Sequence, residues 1–346
     1  MRDLAAEVEA ADASSAEEAW ERQSRLTKPQ GSLGRLEDLG ARLAGMAGEC
    51  PPPVPEHPAV VVCAGDHGVL AQGVSPWPRQ VTAAMVENFC SGGAAVNALA
   101  RTVGARVSVL DVGVASELGR HPLLRAARVH RGTDDLSERP AMGREEAARA
   151  VLAVAGIVEE LVESGGVDLL VTGDMGIGNT TPAACLIAAF TRSTAKEVTG
   201  RGTGIDGATL ERKIRVVEKA LDLHRPDPGD PLGTLAALGG FEHAALVGLI
   251  LMGAVYRIPV LLDGVVSNSV ALVARALAPH SIDFTIAGHL SAEPGAKVAL
   301  DKLTLEPLLD LEMRLGEGTG GLLAVPLVQA AARALGEMAT LKEAGI

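Results

Sequence analysis

Six short runs rich in β-branched residues recur along this chain: AVVVCAG (59–65), RVSVLDVG (106–113), ARVHRG (127–132), VDLLVTG (167–173), IPVLLDG (258–264) and IDFTIAG (282–288). Most are continuously apolar rather than alternating, the pattern of strands buried on both faces. Ala/Leu-rich helical stretches at 79–102, 144–164, 207–223 and 231–255 lie between most of them. This alternation predicts an α/β fold built on a mostly parallel sheet flanked by helices. Each run also ends in a Gly- or Asp-containing loop: AGDHG, LDVGV, HRGTDD, TGDMGIGNTT, LDGVVSNS and AGHLSAEPGA. Open parallel sheets bind ligands beyond the carboxyl ends of their strands, so these loops are expected to converge on one site.

The chain ends read differently. Residues 1–49 are polar and helical with an apolar stripe, interrupted by a turn at 28–32, and Pro51-Pro52-Pro53-Val54-Pro55 is a stiff connector and the clearest boundary. Apolar stripes recur at 305–315 and 322–335. Lys and Arg number 31 against 43 Asp and Glu, a net charge of −12 that argues against a nucleic-acid partner. Aromatic residues make up only 2%, too few for base-stacking platforms. The longest apolar run, 244–256, is too short to cross a bilayer and reads as a buried helix, and the acidic N-terminus lacks a signal-peptide core. A soluble cytoplasmic protein acting on small molecules is expected. Cys50, Cys63, Cys90 and Cys185 are widely spaced, which suits reduced thiols rather than a zinc site or a disulfide scaffold.

Three loops have anion-binding character. In Gly173-Asp174-Met175-Gly176-Ile177-Gly178-Asn179-Thr180-Thr181-Pro182, glycines free backbone N–H groups ahead of a helix that Thr180 or Thr181 would cap. The spacing matches neither a dinucleotide fingerprint nor a Walker loop. Arg201-Gly202-Thr203-Gly204 precedes a helix carrying Lys213, a suitable point charge for phosphate. In Gly288-His289-Leu290-Ser291, the serine suits either a phosphate or a helix cap. Asp66-His67 sits at a strand end as an acid–imidazole pair, with no second ligand cluster in the sequence to support a metal. Finally, Leu315-Gly316-Glu317-Gly318-Thr319-Gly320-Gly321 isolates one carboxylate among glycines, where it can meet a bound substrate uncrowded.

Taken together, GDMGIGNTT, AGDHGV with GVSPWPRQVTAAMV, GRGTG, LDGVVSNS, GHLSAEPGA, RLGEGTGG and the N-terminal TKPQGSLGRLE resemble the nicotinate-nucleotide:dimethylbenzimidazole phosphoribosyltransferases, from about Thr27 to Val328. The resemblance implies a Rossmann-like six-stranded domain at 51–300. A small helical domain would be assembled from 1–50 and 301–346, in a homodimer that needs no metal or cofactor. It implies transfer of phosphoribose from nicotinate mononucleotide to 5,6-dimethylbenzimidazole for the lower ligand of cobalamin, with Glu317 as general base. It places the nucleotide on Asp174, Gly176, Gly178, Asn179, Thr180, Gly202, Gly204, Lys213 and Ser291, and the benzimidazole near Ser75, Met175 and Leu315. Two positions depart from the family's common pattern: Asp174 stands where Glu is frequent and Ala84 where Gln is frequent. These departures leave other benzimidazoles, purines or phenolics open as acceptors.

Overall fold

The computed structural model describes residues 2–163 and 166–346. Six strands form one sheet: β1 (Pro58–Gly65), β2 (Arg106–Gly113), β3 (Leu124–Ala126), β4 (Leu169–Met175), β5 (Val260–Leu262) and β6 (Thr285–Ala287). Their order is β3-β2-β1-β4-β5-β6, and every pairing is parallel. All residues of β1 and β4 are buried, as continuous apolar runs require when helices cover both faces. The strand order reverses between β1 and β4, and such a switch point opens a crevice at the carboxyl ends of the strands. Gly65 and Met175 end the two strands there.

Five of the expected strands form where the sequence puts them, some of them shorter, and the third is displaced. ARVHRG (127–132) is not a strand; β3 ends one residue before it. The backbone still follows β2, since Ala127 N–H donates to Asp111 O and Val129 N–H to Val112 O, but the ladder itself belongs to the edge residues 124–126. Glycine pairs break two of the expected helices. The 79–102 stretch splits into Gln80–Ser91 and Ala95–Val103 around Gly92-Gly93, and 231–255 splits into Pro231–Leu238 and Phe241–Val255 around Gly239-Gly240. The apolar stripe at 305–315 forms no helix. It is an irregular strap laid over the strand ends, tied by Leu290 N–H to Leu309 O and Ala292 N–H to Met313 O, with Leu311 and Leu315 exposed.

Helix Phe241–Val255 is buried along nearly its whole length, which is why it is apolar all round. No helix among the described residues is long and apolar enough to cross a membrane. The terminal helices Ala13–Gln23, Arg35–Ala47 and Thr319–Glu337 pack on one another. In the 28–32 turn, Lys28 Nζ bonds Glu37 Oε1 at 2.7 Å in a nearly buried ion pair, and Glu37 also accepts Leu33 N–H. None of the four cysteines is bonded to another, and Cys63 and Cys185 are buried.

Helix Phe241–Val255 lies so close to helix Arg144–Ala153 that a Cβ on Gly248 would overlap Val151 O. A backbone carbonyl cannot rotate aside, so the overlap outweighs alanine's better helix propensity. Gly248→Ala is expected to lower stability by ~1–3 kcal/mol, seen as a lower urea midpoint at unchanged slope.

Candidate active site

Two adjoining cavities open at the carboxyl ends of β1, β4 and β5. The smaller, about 80 Å³, is lined by Ser75, Asp174, Gly176, Gly178, Asn179, Thr180, Gly202, Lys213, Ser291 and Leu315, among others. The larger, about 760 Å³, has walls that include Trp77, Val81, Met85, Met175 and Leu315, with Glu317 at its edge. Asp174, Gly176, Asn179 and Arg314 border both. Nearly all the residues singled out in the sequence therefore meet here. Ser75 faces the small cavity rather than the large one, and Gly204 lines neither, lying beside the Arg314 side chain.

The loop after β4 differs from expectation in one detail. Its helix begins at Thr180, so Asn179, not a threonine, occupies the cap position, in αR conformation and without a side-chain cap bond. Thr180 instead accepts a 2.6 Å hydrogen bond from Lys213 Nζ, which also donates to Gly200 O at 3.2 Å. Burial pulls the Lys213 ammonium down to about 8, with Glu293 opposing. A desolvated ammonium beside a helix start is an arrangement that suits an anion. Glu293 also accepts Gly202 N–H at 2.8 Å, fixing the Arg201–Gly204 loop, and Ser291 Oγ accepts Glu293 N–H at 3.4 Å.

Glu317 owes its place to its backbone. Gly316, Glu317 and Gly318 are consecutively left-handed, with φ of 83°, 64° and 90°. Glycine tolerates this and glutamate is strained by it, at roughly 1–2 kcal/mol. The loop lies directly on β4: a Cβ on Gly173 would meet Glu317 O at 2.8 Å. Asp263, at the end of β5 and fully buried, holds the loop from below. Its Oδ2 accepts Gly318 N–H at 3.1 Å, and its Oδ1 accepts Gly320 N–H at 2.7 Å and Gly321 N–H at 3.1 Å. One carboxylate thus satisfies the first free N–H groups of helix Thr319–Glu337 and complements its dipole.

Burial pushes the Glu317 carboxyl up to about 7; the Val96 N–H opposes this and Asp263 adds to it. Its Oε2 is buried without a hydrogen-bond partner. Asp174 is raised further, to about 8, by burial and then by Asp263, even though Asn179 Nδ2 donates to its Oδ2 at 2.8 Å. Both acids are thereby held well above the usual carboxylate range, Asp174 the more deeply buried of the two.

The sequence did not point to Asp263 or Arg314, and it paired His67 with Asp66, whereas the structure pairs His67 with Glu242 in a cluster beneath the β4 loop. There His67 Nε2 bonds Glu242 Oε1 at 2.5 Å and His243 Nδ1 lies 3.0 Å from the same oxygen, all fully buried. Burial alone would raise Glu242, but the two histidines outweigh it and hold the acid near 2. Ligand atoms of all three residues lie close enough together to receive a metal ion, a grouping of distant residues that the sequence reading did not find. The cluster borders neither cavity; it braces the loop, since a Cβ on Gly176 would lie 3.1 Å from His67 Nε2 and 3.2 Å from Glu242 Oε1.

This site sits on a sheet whose switch point and phosphate-ready loops define a nucleotide-using α/β enzyme. Residues 8–346 match a family model described as phosphoribosyltransferase. The chain is 57% identical over 338 residues to the nicotinate-nucleotide–dimethylbenzimidazole phosphoribosyltransferase of Salinispora tropica, covering 94% of this chain and 93% of that one. It is 52% identical to the enzyme of the same name from Chloroflexus aggregans, covering 97% and 94%. The crystal structure of the Thermus thermophilus enzyme superposes with a TM-score of 0.91 at 46% identity, covering 96% of this chain and 98% of that one. The chain belongs to the nicotinate-nucleotide–dimethylbenzimidazole phosphoribosyltransferase family.

Because the Glu317 carboxyl is raised from about 4.5 to about 7 on folding, the native state keeps a proton that the unfolded chain releases between those values. Stability therefore falls as pH rises through that window. Glu317→Gln is expected to be more resistant to urea than the parent at pH 8 and equal to it at pH 4. The same difference at both pH values would mean that ionisation at this position carries no cost.

Proposed function

We propose that this chain transfers the phosphoribosyl group of nicotinate mononucleotide to 5,6-dimethylbenzimidazole or a related base, releasing nicotinate and an α-ribazole 5′-phosphate for the cobalamin lower ligand. The observation that carries the proposal is one proton-accepting carboxylate, Glu317, held at the edge of a large apolar cavity that adjoins a small cationic one. The small cavity suits the 5′-phosphate, with Lys213 as counter-charge and the start of the Thr180–Thr191 helix beside it. The larger has the Met and aliphatic walls that methylated bicyclic bases prefer.

The chemistry follows from the charges. The bond from C1′ to the pyridinium nitrogen breaks with its electron pair passing to nitrogen, so the ring leaves without needing an acid. The bare nitrogen of the benzimidazole attacks C1′ from the opposite face, which turns a β nucleotide into an α product. As that bond forms, the other nitrogen's N–H becomes acidic, and Glu317 takes its proton. Homologues carrying this activity in their names support the reading. The proposal includes a homodimer and a division into a 51–300 domain and a small domain from both chain ends.

Acceptor-dependent release of nicotinate from the mononucleotide, followed by chromatography with mass detection, tests the activity. Glu317→Gln is expected to lower kcat by ~10²–10⁴-fold, the usual contribution of a positioned base. In the parent enzyme, kcat should rise with pH through about 7 as Glu317 loses its proton. Full activity in Glu317→Gln would assign the proton to another acceptor.

A further inference from the structure

Nicotinate mononucleotide carries two anionic groups, and the phosphate accounts for only one. The second is the carboxylate on its pyridine ring, at the far end of the ribose. From a phosphate in the small cavity, the ribose carries that ring toward the wall shared with the larger one, which is bordered by three acidic side chains, Asp174, Glu312 and Glu317, and, among the described residues, by a single cation, Arg314. An anionic ring brought among acids needs a counter-charge, whereas an amide ring does not.

Arg314 is placed to supply it. The strap carries it to the wall between the cavities, and it borders both. Its Nη1 donates to Gly202 O at 2.6 Å, so the guanidinium is anchored by a backbone carbonyl rather than neutralised by an acid. Its remaining N–H donors form a planar fork suited to a carboxylate. The small cavity has two other cations, Lys213 and Arg201, for the phosphate.

We propose that Arg314 recognises the ring carboxylate of the donor nucleotide and so selects the nicotinate over the nicotinamide form, a reading that rests on the transferase function above. Its effect extends to the bond-breaking step. While the ring is bonded to C1′, its pyridinium charge offsets its carboxylate; once the electron pair returns to nitrogen, the departing nicotinate is a net anion. The attraction to Arg314 therefore grows as the bond breaks, and it favours the transition state over the bound donor.

The test compares kcat/KM for nicotinate mononucleotide and nicotinamide mononucleotide at saturating dimethylbenzimidazole, in the parent enzyme, Arg314→Gln and Arg314→Lys. Arg314→Gln is expected to lower kcat/KM for the acid donor ~10–100-fold, the scale of one hydrogen-bonded charge contact. It should leave the amide donor nearly unchanged, and Arg314→Lys should recover part of the loss. Calorimetric binding of both nucleotides without acceptor supplies the same comparison if the amide donor turns over too slowly. An equal fall with both donors, or an unaltered preference, would overturn the proposal and assign Arg314 to the phosphate or to the strap. A parent enzyme that transfers from neither donor would instead defeat the transferase reading itself.

Discussion

The site depends on one buried carboxylate. Asp263 directly follows β5, and its two oxygens gather the N–H groups of Gly318, Gly320 and Gly321. That single contact ties the C-terminal helix to the sheet, closes the loop that carries Glu317, and brings a negative charge beneath two other acids. An unpaired carboxylate in such a place would be very costly; three N–H donors and a helix dipole offset the burial. In return, its charge helps to keep Asp174 and Glu317 above their usual range.

Charge is sorted by depth and by side. Lys213 and Arg201 line the small cavity beside Glu293; Glu312 and Glu317 line the large one, and Asp174 and Arg314 stand on the wall between them. The His67–Glu242–His243 cluster lies deeper still, beneath the loop. Most of the cationic charge thus lies at one end of the crevice and a raised carboxyl group, Glu317, at the other. A chain with a net charge of −12 can bind an anionic nucleotide because the local arrangement, rather than the sum, sets the field.

Much of this was legible along the chain. Continuous apolar runs announced β1 and β4, and the Gly-rich loops after them announced a site at their carboxyl ends. Where reading by pattern failed, a specific competitor won. ARVHRG carries strand-like residues, but the edge ladder uses Leu124–Ala126 just before it. The 305–315 stripe has helical spacing, yet its backbone bonds to the Leu290 and Ala292 N–H groups instead of to itself. Thr180 has the residue type of a cap, but Lys213 claims its hydroxyl.

The strand and helix alternation, the glycines around Glu317 and the family motifs can all be read along the chain, because these are local matters of burial pattern, backbone freedom and residue type. It takes the folded chain to show that Asp263 clamps Gly318 from 55 residues away, that Gly173 makes room for the Glu317 loop, and that Arg314 borders two cavities at once. Folding also lifts Asp174 and Glu317 above the usual carboxylate range. Ionisation depends on desolvation and on neighbouring charges, and no spacing along a chain encodes which side chains will share a buried pocket.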